Sequence, residues 1–428
     1  MKRHHHHITV FEYESIRVGH TYGQVEFSDR HFDALAQYHS ITKGLYYDLG
    51  HKKITFKEYV GVIQVGDLMI EILPKADKAA GDEKTKEEWK RKLISMLRAV
   101  GLFDIHAPSS TSLKIKTNSI LDLYFELYVS EIEYLLHLGL AKKYRKTEGN
   151  SVALKGSLLF NKHIQQNLVH QERSYVRYTT YDTQHLLHFI LYKALKLLKQ
   201  INTLAALQSR IGALLLHFPE MPDAKVTEAT FPKLAFNRKT AHYQKATEMA
   251  RLLLLNYHPD ISRGGNHVLA LMFDMNLLWE QFVLVSLRKG FQTHNTSASV
   301  RGQVSMHFWK SSLGNRTSIR PDIVIDSVVH GCVVLDTKWK NLGGINPSSD
   351  DLRQMYVYHH YYQTRKVAIV YPGKFDILPG HYIEPTGEKI LKECCLIGLN
   401  PQGTIKEWQH EIFVRILVWL QKVDLIEH

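Results

Sequence analysis

Two acidic residues and a lysine with a suggestive spacing lie in the last third of the chain. Asp322 follows Pro321, and Asp336 lies two residues before Lys338. Mg²⁺ prefers oxygen ligands in proteins and is bound through one or two carboxylates. A bound cation acidifies water and neutralises the charge that develops on a phosphodiester, and a lysine beside it stabilises that charge or orients the water. The pattern therefore predicts metal-dependent phosphodiester hydrolysis.

The flanking residues predict the structure that brings these groups together. Two apolar, β-branched runs at 319–325 and 332–338 are separated by a short connection, which favours a pair of antiparallel strands. Asp322 opens the first strand and Asp336 lies near the end of the second, so both carboxylates reach the same end of the sheet. Alternation along the strand places Asp336 and Lys338 on one face.

Four further residues are candidates for the same site. Glu280 lies on a largely apolar helix predicted at about 269–289, where an acid either caps a surface edge or faces a site. Gln354 and Tyr358 are four residues apart on another predicted helix. This pair either supports the metal ligands, contacts a phosphate or forms an ordinary half-buried face. The backbone carbonyl of Thr337 is a candidate third metal ligand.

Together these features match the PD-(D/E)xK pattern of magnesium-dependent endonucleases. A bare pattern of this kind occurs by chance in many chains. The length between the acidic residues, the two β-type runs, the upstream Glu280 and the downstream Gln354 and Tyr358 make it more specific. We therefore predict a restriction-endonuclease-like α/β domain in the C-terminal part of the chain.

Composition and charge restrict the class of protein. The net charge of +12 among 428 residues indicates a polyanionic partner such as double-stranded DNA. The three cysteines lack the spacing of a disulfide framework or a zinc site, which predicts reduced thiols in a cytoplasmic protein. The sequence contains neither a signal-like segment nor a long apolar run, so we expect no membrane association. It also lacks the GxxxxGK[ST] motif, so any nucleotide hydrolysis is expected of another chain.

The length predicts a multi-domain α/β protein. We predict a β-rich N-terminal domain at 1–155, a helical middle region at 156–262 and the endonuclease domain at 263–428. The predicted break before the last domain is the segment Ser262-Arg263-Gly264-Gly265. The tract His4-His5-His6-His7 is interpreted as a tag or a short low-complexity extension outside the fold.

Within the first domain, Val60–Val65 and Leu68–Leu73 predict two strands separated by a two-residue turn. Residues 75–88 are interpreted as a solvated loop, followed by one helix to Gly101 and another at about 121–140. The basic cluster at 142–146 either tracks a phosphate backbone or, as we favour, forms a solvated loop. Between 182 and 255 the apolar periodicity is helical almost throughout.

Several segments resemble the McrC family, the nuclease subunits of McrBC-type modification-dependent restriction systems. The similar segments follow the order of that family over most of the chain. They are ITVFEYE at 8–14, GVIQVGDLMIEILPK at 61–75, GSLLF at 156–160, FDMNLLWE at 273–280, RPD at 320–322, LDTKWK at 335–340 and DLRQMY at 351–356. The His tract departs from the family pattern.

The resemblance implies a division of labour between two proteins. An McrC-type subunit has no NTPase activity and binds a hexameric AAA+ GTPase, McrB, which carries the GTP and recognises modified cytosine. The N-terminal part of the subunit, here 1–155, is expected to dock into the ring and stimulate GTP hydrolysis. The C-terminal domain is expected to cut DNA with Mg²⁺. By this resemblance Asp322, Asp336 and Lys338 are the catalytic core, with Glu280 as the upstream acid and a metal ligand.

Two alternatives remain open at the level of sequence. The chain is either a stand-alone PD-(D/E)xK repair nuclease, or a mainly non-catalytic activator of the AAA+ GTPase. About three hundred residues before the motif argue against the first alternative, because a lone nuclease rarely needs them. The intact Asp336 and Lys338 argue against the second.

Overall fold

The computed structural model describes residues 6–75, 83–103, 119–259, 267–294, 298–329, 331–340, 346–364, 366–383 and 389–421. Strands and helices are mixed along these ranges, which confirms the predicted α/β class. The predicted break at 262–265 lies outside the described residues, as do the first two histidines of the His tract.

The strands and helices have the following bounds. The strands are β1 (His6–Phe11), β2 (Ser15–Arg17), β3 (Thr21–Tyr22), β4 (Val25–Glu26), β5 (Tyr47–Gly50), β6 (Lys53–Phe56), β7 (Tyr59–Val65), β8 (Leu68–Leu73), β9 (Lys143–Ser151), β10 (Ser157–Leu158), β11 (Ser174–Asp182), β12 (Tyr257–His258), β13 (Val268–Asp274), β14 (Ala298–Gly302), β15 (Met306–Lys310), β16 (Arg316–Ile319), β17 (Ile323–Ser327), β18 (Gly331–Thr337), β19 (Lys366–Pro372), β20 (His381–Ile383) and β21 (Lys389–Leu399). The helices are α1 (Asp29–Thr42), α2 (Glu83–Ala99), α3 (Ile120–Leu138), α4 (Phe160–Asn167), α5 (Leu186–Ile201), α6 (Ala205–His217), α7 (Gln244–Leu255), α8 (Met275–Thr293), α9 (Ser349–Tyr361) and α10 (Ile405–Gln421). Two short 3₁₀ helices lie at Glu228–Lys233 and Ala241–Tyr243.

The chain divides into two compact units. Unit 1 comprises Met1–His5, Gln64–Asp67 and Ile105–Leu271, and unit 2 comprises His6–Ile63, Leu68–Asp104 and Met272–His428. The N-terminal strands therefore belong to the same unit as the Asp322–Lys338 segment. The three predicted domains group the chain differently, and their boundaries stay a prediction.

Unit 1 is built from helices and one small sheet. Two buried tyrosines connect α3 to the neighbouring helices. Tyr124 donates to the carbonyl of Met249 on α7, and Tyr128 donates to the carbonyl of Leu191 on α5. The helical periodicity predicted between 182 and 255 is confirmed at α5, α6 and α7, whereas residues 218–243 form only two short 3₁₀ helices in otherwise irregular chain. The small sheet has the order β10-β11-β9, and β9 and β11 pair antiparallel over their whole length.

Unit 2 holds two larger groups of strands. The first includes the neighbouring strands β1, β8 and β7, and β1 runs parallel to β8. The second is a mixed six-stranded sheet of order β14-β17-β18-β19-β21-β20. Alternate side chains of its central strands, including Val324, Val334, Val367 and Ile369, pack with residues of α9 in one buried cluster. This packing holds the ends of β17 and β18 in place.

Four local predictions differ from the structure. His6 and His7, interpreted as part of an extension, belong to β1 and pair with the start of β8. The interpretation of 75–88 as a loop is wrong from Glu83 onward, because α2 begins there and buries Trp89 and Leu93. Salt bridges one helical turn apart, such as Lys92–Glu88, support this charged first part of α2.

The basic cluster at 142–146 lies in strand β9 from Lys143 onward, not in the favoured loop, because β11, rich in threonine and tyrosine, pairs with it.

The helix predicted from about 269 begins at Met275 instead, after the buried strand β13. Asp274 sets this start, since its carboxylate accepts from the backbone N–H groups of Asn276 and Leu277. The apolar run before the helix fits a strand as well as a helix, so the sequence pattern alone does not distinguish the two.

Candidate active site

The predicted strand pair is present, and its register places the two aspartates opposite each other. β17 and β18 pair antiparallel, with Ile323 opposite Leu335. Continuing this register by one residue sets Asp322 opposite Asp336. Residues directly opposite in an antiparallel pair share a face. The β-branched runs therefore fold locally as expected and bring both carboxylates to one end of the sheet.

Asp322 is fixed to the end of β18. Its Oδ2 accepts from the backbone N–H of Thr337 at 2.6 Å and from the Thr337 hydroxyl at 2.7 Å. Its own carbonyl accepts from the backbone N–H of Gln303 at 2.9 Å. These contacts orient the carboxylate before any ligand binds. The role of the Thr337 carbonyl as a metal ligand stays a prediction.

Asp336 and Lys338 form an ion pair at the same place. Lys338 Nζ lies 2.6 Å from Asp336 Oδ2, and the aspartate side chain is almost fully buried. Burial, followed by repulsion from Asp322, raises the pKa of Asp336 to about 6 against the opposing charge of Lys338. Burial alone lowers the pKa of Lys338, but Asp336 and the neighbouring acids raise it above its ordinary value. Lys338 is therefore a fixed cation beside a carboxylate whose ionised form is disfavoured by burial.

Glu280 is a third carboxylate of this site. It lies on α8, is 5% exposed, and accepts from Gln303 Nε2 at 2.8 Å. Burial raises the pKa of Glu280 to about 7, and the negative charge of Asp322 adds to that effect. Of the two sequence-based interpretations, a surface cap and a site-facing acid, the burial and the influence of Asp322 favour the second.

Gln354 and Tyr358 adjoin the site from α9. Gln354 Nε2 donates to Tyr358 Oη at 2.7 Å and lies 3.5 Å from Asp336 Oδ1. The buried Tyr358 ring belongs to the core cluster, so it supports Gln354 from behind. This geometry fits the proposed support of a metal ligand better than an ordinary helix face.

The donor chemistry of the site fits a hard divalent cation. Asp322, Asp336 and Glu280 are oxygen donors. Burial, and after it the charge of Asp322, raises the pKa of Asp336 and of Glu280, so a further positive charge is favoured there. Within the described ranges, no three His, Cys, Asp or Glu side chains already converge as a ligand set. Mg²⁺ usually takes one or two protein carboxylates and completes its shell with water and phosphate oxygens.

Two supporting residues escape detection in the sequence. Gln303, which contacts both Glu280 and Asp322, follows β14 and has no local motif. Glu12 lies 327 residues before Trp339, yet its Oε1 accepts from the Trp339 indole N–H at 2.6 Å. The same oxygen accepts from the backbone N–H of Lys75 at 2.7 Å. Glu12 thereby fixes the residue next to Lys338, and a hydrophobic stretch at 8–14 offers no signal of that role.

Cys332, Cys394 and Cys395 are free thiols. No helix in the described part of the chain has both the length and the apolar character needed to cross a membrane.

Comparison with known proteins gives a family and a fold. A family model described as "McrBC 5-methylcytosine restriction system component" matches residues 54–372. No curated protein sequence matches the chain. The chain is similar to one in the refined half-complex from a tetradecameric assembly of Thermococcus gammatolerans McrB AAA+ hexamers with bound McrC. That match has 19% identity and a TM-score of 0.69, and covers 96% of this chain and 100% of the other.

A cryo-EM structure of the Thermococcus gammatolerans McrBC complex also matches, at 20% identity and a TM-score of 0.49, covering 67% of this chain and 88% of the other. At such identities the match to the half-complex concerns the fold. The family match spans well over half of the chain and agrees with the resemblance seen in the sequence. The chain therefore belongs to the McrBC family of 5-methylcytosine restriction system components.

Proposed function

We propose that this chain is the nuclease subunit, of McrC type, in a GTP-dependent restriction complex, and that unit 2 contains a PD-(D/E)xK endonuclease site. The observation that carries the proposal is the placement of Asp322, Asp336 and Lys338 at one end of the β17–β18 pair. Family membership supports it independently. Restriction activity requires a nuclease, and this site is suited to phosphodiester hydrolysis.

Asp322 and Asp336 would hold a Mg²⁺ ion, together with the Thr337 carbonyl and, from α8, Glu280. When bound, Mg²⁺ lowers the pKa of a water molecule and offsets negative charge on the scissile phosphate. The site residues are oriented in advance by Thr337, Gln303 and Gln354, so little reorganisation is needed when substrate binds.

Lys338 supplies a fixed positive charge next to Asp336, where it orients the attacking water or stabilises the charge of the transition state. The raised pKa of Glu280 follows from its burial and from the negative charge of Asp322, and a bound cation would favour its ionised form. Gln354 holds Asp336 in its orientation. The chain contains no GxxxxGK[ST] motif, so GTP is assigned to the partner protein.

The proposed partner is an McrB-like hexameric AAA+ GTPase, since the structurally similar half-complex contains McrB AAA+ hexamers with bound McrC. The resemblance to McrC implies a docking segment within 1–155. Part of that segment, β9, belongs to a surface of unit 1 that we name the apolar tip. It consists of Tyr144, Val152, Leu154, Phe160, Ile164, Leu168, Val169 and Tyr181, all more than half exposed. Exposed apolar groups in such number favour a protein partner.

The proposed docking surface therefore includes residues beyond 155, as far as Tyr181. Residues 6–63 and 68–104 belong to unit 2, together with the nuclease motif. The docking proposal is therefore placed on unit 1. The cytoplasmic location and the recognition of a modified base by the partner stay predictions.

The test is DNA cleavage by the full chain with and without its GTPase partner, GTP and Mg²⁺. The proposal expects cleavage only when all three are present, and faster GTP turnover in the complex. Cleavage by the chain alone would make it a stand-alone nuclease. Faster GTP turnover without cleavage under any condition would make it a non-catalytic activator.

A further inference from the structure

The hairpin of β15 and β16 is exposed and leads directly into Arg320, Pro321 and Asp322. All five residues of β15 are exposed, and so are three of the four in β16. Trp309 is 56% exposed and Phe308 43%. An isolated two-stranded hairpin is marginally stable in water. An exposed hairpin that nevertheless carries aromatic residues is suited to binding a partner.

The base of this hairpin is fixed to α9. The ring of Phe308 meets that of Tyr361 edge-on, with centroids 5.4 Å apart, and the Tyr361 hydroxyl donates to the Phe308 carbonyl. The Tyr362 hydroxyl donates to the carbonyl of Val304. The hairpin is thus anchored on one side, next to the helix that carries Gln354.

Two cations face each other across the hairpin. Lys310 is paired with Arg316 in the register of β15 and β16. Like charges directly opposite in an antiparallel pair are destabilising. Neither side chain forms a salt bridge within the residues that the structure describes, and residues 303–321 contain no Asp or Glu. A polyanion would relieve this repulsion, so the charges favour a nucleic acid partner.

Trp309 lies between these cations and the base of the hairpin. No other ring lies against its indole in the described part of the chain, whereas other tryptophans of unit 2, such as Trp279 and Trp339, pack edge-on against each other in the core. An exposed aromatic ring beside two cations is the combination with which proteins contact an unstacked base while holding the phosphate backbone.

A cavity connects the hairpin to the candidate active site. Its volume is about 560 Å³, and its lining includes Ser305, Phe308, Ser318, Arg320, Gln354 and Tyr358. Gln354 lies 3.5 Å from Asp336 at the far side. The surface of the hairpin is therefore continuous with the proposed site of cleavage.

We propose that the β15–β16 hairpin binds duplex DNA beside the bond that is cut, with Lys310 and Arg316 on phosphates and Trp309 inserted as a wedge at an opened base step. This inference rests on the proposed nuclease function. Strands rise about 3.4 Å per residue, so the cation pair lies roughly 14 Å from Arg320. That distance corresponds to about four base pairs of duplex.

The test measures binding of a fluorescent duplex by the full chain in chelator, where no cleavage occurs. Lys310→Ala/Arg316→Ala is expected to weaken binding at least tenfold at low salt and to reduce the salt-dependence slope by about two. Trp309→Ala is expected to weaken binding by about tenfold with the slope unchanged. The controls are Lys289→Ala, an exposed lysine of α8, and Val328→Ala at the opposite end of the β17–β18 pair. Both are expected to bind as wild type.

Wild-type affinity and salt slope in both hairpin variants would overturn the inference. So would lost stimulation of the GTPase with unchanged DNA binding, since the hairpin would then contact a protein. Cleavage assays separate this inference from the proposed function. The hairpin variants should raise KM and leave kcat largely intact, whereas Asp336→Asn should abolish cleavage and leave duplex binding in chelator unchanged. Cleavage by Asp336→Asn would refute the proposed active site without altering the binding result.

Discussion

The β17–β18 pair of unit 2 and the β9–β11 pair of unit 1 are both antiparallel, yet their side chains lie in opposite environments. In β18 every residue from Val333 to Thr337 is buried. In β9 every residue is exposed or half-buried. The comparison shows that strand pairing alone does not make a site. Helices covering β17 and β18 exclude water and strengthen interactions among charges, whereas the exposed pair leaves apolar side chains for a partner.

Among changes in the buried β17–β18 pair, Lys338→Ala gives the largest expected effect on DNA cleavage. Loss of the cation next to Asp336 should lower kcat for DNA cleavage by about a hundredfold or more. The matched control is Lys340→Ala, two residues along the chain, whose ammonium forms a half-exposed ion pair with Asp351. That variant should cleave within about threefold of wild type. Equal losses in both variants would refute a specific role for Lys338.

Glu12→Gln tests the burial of charge in unit 2. Burial raises the pKa of Glu12 from 4.5 to about 7, so the folded state binds more protons than the unfolded state between these values. Stability therefore falls as pH rises through this window. The neutral glutamine should stabilise the protein at pH 8 by up to about 3 kcal/mol and by little at pH 5. Thermal unfolding at both pH values measures this difference.

The exposed β9–β11 pair supplies a control in which the pH dependence of stability has the opposite sign. Hydrogen bonds from Lys162 and Arg177 lower the pKa of Glu148 on β9. Its contribution to stability is therefore present above its unfolded pKa and lost as pH falls. Glu148→Gln should slightly lower the unfolding temperature at neutral pH. An equal shift at pH 5 and pH 8 in Glu12→Gln would contradict the account of the buried acid.

Phe160→Ser tests the apolar tip. Removal of this exposed ring should weaken binding to the GTPase partner by about 2 kcal/mol, or roughly thirtyfold, because hot-spot aromatic residues contribute most to interfaces. Leu216→Ser on α6 is the control, since that side chain is 86% exposed but lies outside the tip. Titration of the GTPase with each variant measures both affinities. Equal affinities for Phe160→Ser and the wild type would exclude the tip as the docking surface.

Gln354→Ala and Tyr358→Phe give the smallest expected effects. The contact of Gln354 with Asp336 is long, so its loss should cost about 1 kcal/mol, or roughly fivefold in kcat. Tyr358→Phe, which removes only the hydroxyl that accepts from Gln354, should have a smaller effect still. Single-turnover cleavage rates distinguish the two variants. A larger loss in Tyr358→Phe would mean that the hydroxyl itself contacts the substrate.

The arrangement of Asp322, Asp336 and Lys338 was predictable from the sequence because it is local. Two β-branched runs and a short connection determine the pairing, and pairing determines which residues are opposite. The same holds for β7 and β8. The start of α8 was also encoded locally, in the Asp274 cap, but the apolar run before it fits a strand and a helix equally well.

The parts that sequence did not predict depend on distant contacts. Gln303 and Glu12 reach the site only through the packing of whole elements, and no spacing rule connects Glu12 to Trp339. The basic cluster at 142–146 is interpreted as a loop from sequence, because the strand that pairs with it, β11, begins 23 residues after β9 ends. The periodicity of apolar residues predicts which face of a strand or helix is buried. It does not reveal which other element covers that face.

The most direct test of the account is a paired measurement on Asp336→Asn in the complex with its GTPase partner, GTP and Mg²⁺. The account predicts that DNA cleavage is lost while GTP turnover is stimulated as strongly as by the wild type, because the buried pair and the apolar tip act separately. Retained cleavage would contradict the assignment of the active site. Loss of both activities in a variant that still binds its partner would contradict the separation of the two regions.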